Sequence, residues 1–235
     1  MNRPIKTKGK CNGCGKQITA TVFESVNTDF AKDLPMQIMS GDLFSAKCPH
    51  CKTISYVEYD LLYHDINNSA KIWVLHKNAP KYKERISEIR SAAETSHKLL
   101  RIVGSMNELT EKVSCLEKKR DDRIVECYKS FIIVVLLFHN PELKIKNIFY
   151  TAVSGKEMFH VVDSDGDDEC IELSEETYEF IKGLYFSSPY AAKFDDNYAI
   201  VDFGWAMKVM GPLLEAKIQE REATTKEKPD DATQT

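Results

Sequence analysis

The 235-residue chain reads as an α+β protein, with an N-terminal four-cysteine β unit, a helical middle and a C-terminal mixed α/β subdomain. Three observations point there. Two Cys-x-x-Cys pairs, Cys11/Cys14 and Cys48/Cys51, sit among β-branched and aromatic runs. From Pro80 onward, apolar residues recur at three- and four-residue steps, and beyond Ile145 short strand-like runs alternate with polar turns and one helical stripe. The expected units are 1–78, 79–140 and 141–220, followed by a disordered polar tail over 221–235.

The elements follow in order. Tyr82, Ile86, Ile89, Ala93, Leu100 and Val103 suggest one helical stripe stopped by Gly104. Ser105 with Glu108 forms a capping-box pattern ahead of Met106, Leu109, Val113 and Leu116. Asp121 and Asp122 stand where acids favour a helix N-terminus, before Ile124, Val125, Tyr128 and the run Phe131–Phe138. That run is eight residues long, far short of the roughly twenty a membrane span needs, and is expected as the buried end of a helix stopped near Pro141. Strands are predicted at Ile148–Val153, Phe159–Val162, Glu169–Leu173 and Tyr198–Phe203, with a turn at Ser154–Gly155, a helix starting at Ser174, and a last helix over Trp205–Glu220.

Composition narrows the function classes. The formal charge is −4, which removes the basic surplus expected of a non-specific nucleic-acid binder. Seven cysteines cannot all pair internally, and Met1–Thr21 lacks an apolar stretch of signal-peptide length, so a reducing, cytoplasmic setting is expected, with no membrane partner.

The chemistry lies in Cys11-Asn12-Gly13-Cys14-Gly15 and Cys48-Pro49-His50-Cys51. Thiolates separated by two residues turn both sulfurs toward one ion, and two such pairs supply the four soft ligands of tetrahedral zinc. Gly13 and Gly15 permit positive φ, and Pro49 stiffens the second turn. Four cysteines close the shell, which suits one structural Zn2+ better than a catalytic one. A rubredoxin-type iron centre uses the same four sulfurs and stays open until the metal is measured. Cys115, Cys127 and Cys170 read as small buried hydrophobes, with no base beside Cys170 in the sequence.

Together with these knuckles, Ser25–Asn27 (SVN), Ser40–Phe44 (SGDLF), Cys48–Cys51 (CPHC) and Leu61–Asp65 (LLYHD) resemble the bacterial and archaeal CpXC domain family. Arg101-Ile102-Val103, Asn107-Glu108-Leu109, Glu111-Lys112 and Asp121-Asp122-Arg123 resemble its continuation, to about Lys129. The resemblance implies a zinc-ribbon-like fold with Cys11, Cys14, Cys48 and Cys51 as ligands, and implies no activity. One departure is Asn12, where the family's first knuckle carries proline.

The remaining features divide three readings. Helical faces at Tyr82–Val103 and Met106–Leu116 suit another protein or self-association, making a zinc-organised interaction or scaffold module the leading expectation. Lys6, Lys8, Lys10 and Lys16, with Arg3 and the aromatics Tyr56, Tyr59, Tyr63 and Trp73, suit a nucleic-acid-binding rim. An enzyme with a site outside the knuckles would need acids gathered with His64, His97 or His160 in a pocket. Asp163–Glu169 lacks the sixth-position glycine and twelfth-position glutamate of an EF-hand and reads as a solvated turn; Asp121 and Asp122 read as helix-capping acids.

Overall fold

The computed structural model describes residues 2–92, 99–153, 155–189, 191 and 198–213. It is mixed helix and strand, in line with the α+β expectation. Strands β1 (Pro4–Lys10) and β2 (Gln17–Phe23) form an antiparallel ribbon; β4 (Ser45–Lys47) and β5 (Ile54–Tyr56) form a second one. Strands β3 (Ser25–Asn27), β6 (Leu61–Asp65), β7 (Ala70–Val74) and β8 (Leu99–Val103) make a four-stranded sheet in the order β3-β6-β7-β8, with only the central pair antiparallel. Helix α1 (Leu34–Met39) lies in the crossover from β3 to β6, and α2 (Tyr82–Ser91) in the crossover from β7 to β8.

Helix α3 (Met106–Lys118) is the hinge of the packing. One side sends Met106, Leu109 and Val113 into the core of the four-stranded sheet, beside Leu61, Tyr63, Ile72 and Ile38 of α1. Its other side faces α4 (Asp122–His139) and the antiparallel meander of β9 (Ile145–Val153), β10 (Lys156–Asp163) and β11 (Asp168–Glu172). A second core gathers there from Ile124, Val125, Tyr128, Tyr150 and Phe159, closed by α5 (Glu175–Ser187) and by α6, helical over 203–213.

Caps follow their sequence signals. Ser105 Oγ accepts the Glu108 N–H at 3.2 Å, and Glu108 reaches back to the Gly104 N–H at 2.7 Å. Asp121 accepts from the Arg123 N–H, and Ser174 from the Thr177 N–H.

Four local expectations change. The stripe from Tyr82 does not continue to Val103: α2 ends at Ser91, and Leu99–Val103 is strand β8. From Leu100 to Val103 every residue is buried, because the strand is covered on both faces, and such a strand shows no alternation. Gly104 therefore follows a strand rather than capping a helix. Tyr198–Phe203 forms only a single bridge, Ala199 to Arg101, since Asp202 accepts the Trp205 N–H and turns the chain into α6. The run Phe131–Phe138 is not a buried end: Ile132 is buried, but Val134, Val135, Leu137 and Phe138 are exposed, because the last turns of α4 lie outside the core that takes in Ile124, Val125, Tyr128 and Ile132. Ala93, His97, Ser154, the stretch 214–220 of the expected last helix and the expected tail 221–235 lie outside the described residues. Among the described residues, no helix is long and apolar enough to cross a membrane.

Candidate functional site

The β1–β2 and β4–β5 ribbons each hold a cysteine pair in or beside their turn, and the two turns meet. Cys11, Cys14, Cys48 and Cys51 place their sulfurs within 4.8 Å of one another. Cys11 Sγ lies 3.5 Å from Cys51 Sγ, and Cys14 Sγ 3.7 Å from Cys48 Sγ. A disulfide would need about 2.05 Å. A tetrahedron with 2.3 Å metal–sulfur bonds has edges of about 3.8 Å. The four thiols thus fit a tetrahedral thiolate-loving ion, and could hold a metal ion.

The two turns are built alike. The residue after each second cysteine is left-handed, Gly15 at φ 70° and Lys52 at φ 65°, and its N–H returns to the first cysteine's carbonyl at 2.9 and 3.0 Å. Gly13 matters for a different reason than positive φ: a Cβ there would stand 2.5 Å from the Thr53 hydroxyl. That hydroxyl lies 3.2 Å from Cys51 Sγ and, with the Thr53 backbone N–H, pulls the Cys51 thiol down to about 6. Cys11 and Cys48 are buried and Cys14 and Cys51 exposed, so the site sits at the surface edge of a very small core with Ile18, Ala20 and Ala46. His50, in the second knuckle, is exposed.

The sequence match follows the same residues. A family model described as CpXC protein covers residues 10–129, more than half of the chain, including all four cysteines. The chain belongs to the CpXC family. No curated protein and no solved structure matches the chain. The CpXC match also reaches a feature the residues alone did not announce, a set of six buried ionic side chains between α3, α4 and β8.

Arg101 grips Asp122 with two hydrogen bonds of 2.9 and 3.1 Å, and Lys112 Nζ sits 3.1 Å from the same carboxylate. Burial pushes the Asp122 carboxyl up, but the Lys112 and Arg101 charges outweigh it and hold it well below the usual range. Lys129 Nζ bridges Glu111 and Glu126 at 2.9 Å each. One ammonium cannot neutralise two carboxylates. Glu111 also accepts the Tyr150 N–H at 2.8 Å, whereas Glu126 has only the more distant Lys112 at 3.9 Å. Burial accordingly raises Glu126 to about 7. Glu111, Glu126 and Lys129 form one wall of a cavity of about 780 Å³, whose apolar side is Ile133, Leu137 and Phe149. Neither His64, which contacts Asn27, nor His160 lines it. Asp121 is a helix cap as expected; Asp122 is a buried ion-pair partner instead.

Strand alternation gathers three of the four basic residues and leaves the fourth in the knuckle. Lys6, Lys8 and Lys10 fall on one face of β1, opposite Thr21, Thr19 and Gln17, while the Lys16 carbonyl accepts the Cys11 N–H inside the knuckle. Of the four aromatics, Tyr63 is fully buried, Tyr59 and Trp73 are partly buried against cores, and only Tyr56 is exposed. Cys115 and Cys127 are buried, with thiols raised by burial, Cys127 to about 12. Cys170 departs from expectation: it is exposed and 3.4 Å from His160 Nδ1, a base ten residues away in sequence that the β10–β11 pairing brings opposite. In the acidic turn, Asp163 Oδ1 accepts the N–H groups of Asp165, Gly166 and Asp167, so its carboxylate holds the turn itself.

Proposed function

We propose that Cys11, Cys14, Cys48 and Cys51 hold one structural Zn2+ and that the protein works as a zinc-organised protein–protein interaction or scaffold module in the cytoplasm. Four thiolates leave no open position, so the ion fixes the two ribbons and catalyses nothing there. Units at 1–78, 79–140 and 141–220 with a tail at 221–235 belong to this proposal. The observation that carries the interaction reading is the uncovered end of α4, where Phe138 is 82% exposed beside exposed Val134, Val135 and Leu137. An apolar helix end of that kind suits a partner's apolar surface, whether another protein or a second copy. A photo-cross-linking residue at position 138, compared with one at exposed Lys156 in the native cell, tests it. Protein adducts specific to 138 are expected; equal labelling at both positions, or none, overturns the reading.

A second reading rests on the row of Lys6, Lys8 and Lys10, which faces hydroxyl and amide side chains across the ribbon with no carboxylate between them. Such a strip could track a nucleic-acid backbone. Neutralising all three lysines should then abolish a low-salt band shift, and an unchanged shift would overturn it.

A further inference from the structure

We propose that His160, Asp168 and Cys170 form a second, open-shell site for a borderline-soft divalent transition metal, zinc foremost, on the outer face of the β9–β11 meander.

The site is made by sheet register. His160 and Cys170 are direct partners across the β10–β11 ladder, and Asp168, two residues before Cys170, shares their face. The ring nitrogen, sulfur and carboxylate oxygen all lie within 4.8 Å of one another. His160 Nδ1 is 3.4 Å from Cys170 Sγ and 3.1 and 3.3 Å from the two Asp168 oxygens. For a tetrahedral ion with bonds of about 2.3 Å to sulfur and about 2.0–2.1 Å to nitrogen and oxygen, the nitrogen–sulfur and nitrogen–oxygen edges come to about 3.5 and 3.4 Å. The donors therefore already stand near metal-bound spacing.

A second observation concerns the far side of the ring, which is held in a fixed orientation. The far nitrogen, Nε2, lies 3.1 Å from the Thr151 hydroxyl, and the Phe149 ring stacks on His160 at 5.1 Å and 5°. Thr151 can hold Nε2 by a hydrogen bond, which leaves Nδ1 as the nitrogen that faces the sulfur and the carboxylate. Sulfur, imidazole and carboxylate donors together suit zinc, cobalt or nickel rather than magnesium or calcium. The outer hydrogen bond to the ring is the arrangement metal-ligating histidines use. Three protein ligands at a half-exposed surface leave the fourth position to water or an incoming ligand, unlike the closed four-cysteine set.

The test is metal stoichiometry on the full chain by native mass spectrometry, after equilibration with micromolar free zinc. Two ions per chain are expected for the wild type, and one for His160→Asn and for Cys170→Ser. Thr151→Val should keep the site while weakening it roughly 10- to 100-fold. With zinc retained at the four cysteines, added cobalt should give thiolate charge-transfer absorption that Cys170→Ser abolishes. An ion count unchanged from wild type in both variants, or uptake only at millimolar zinc, would overturn the proposal. The totals of two and one include an ion at the four cysteines; the loss of one ion in His160→Asn and Cys170→Ser relative to the wild type reads this site alone, and Cys14→Ser probes the other.

Discussion

Gly13 and Thr53 show how tightly the first knuckle is fitted to the second. The Thr53 hydroxyl occupies the space a side chain at position 13 would fill while also touching Cys51, so Gly13→Ala displaces a group that stabilises a thiolate. Metal affinity should fall by at least about tenfold, as for other outer-shell changes, read by competition with a chromophoric chelator. Glu126 offers a pH signature. Its folded pKa, about 7, lies above its ordinary 4.5, so its stabilising contribution is complete below about pH 4.5 and is lost as pH rises to about 7. Glu126→Gln lacks that titration. The stability of wild type minus variant, from denaturant unfolding, should decline across this window and level off above it; a flat difference would mean that Lys129 keeps Glu126 ionised.

Helix α4 carries two kinds of apolar side chain in one run, and substitution separates them. Ile132 is buried against the meander core, so Ile132→Ala should cost about 2–4 kcal/mol. Phe138 is exposed, and Phe138→Ser should change stability by less than about 0.5 kcal/mol while abolishing any association through that end. Thermal melts with sedimentation on both variants check the pair. Strand β8 makes a related point about reading periodicity: Leu100 and Val103 fit a helical step, but residues buried on both faces of a sheet produce any spacing.

The cores differ sharply in size, which decides how the protein responds to metal removal. Among the described residues, the apolar cluster at the four thiols adds only Ile18, Ala20 and Ala46 as buried side chains, with Val57 partly so, too little apolar surface to hold two short ribbons. The meander core, by contrast, unites α4, α5, α6 and three strands. Chelation, or Cys14→Ser, should therefore release amide protection in β1, β2, β4 and β5 and leave β9–β11 and α5 protected in hydrogen exchange. Protection retained in the ribbons after complete metal removal would contradict a structural role for the ion.

Local chemistry alone was enough for the two knuckles, the capped starts of α3, α4 and α5, and the alternating strands β9 and β10. Each is written in neighbouring residues, through cysteine spacing, capping side chains or a period of two. Other features depend on partners distant in the chain. Arg101 meets Asp122, and Lys129 meets Glu111, only because α3 is covered on both sides, so Asp122, read as a capping acid, becomes a buried counter-ion. Cys170 acquires a base because a ladder places it opposite His160, and the end of α4 is exposed because it lies outside the meander core. Burial and cross-strand register are long-range properties, and no window of sequence contains them.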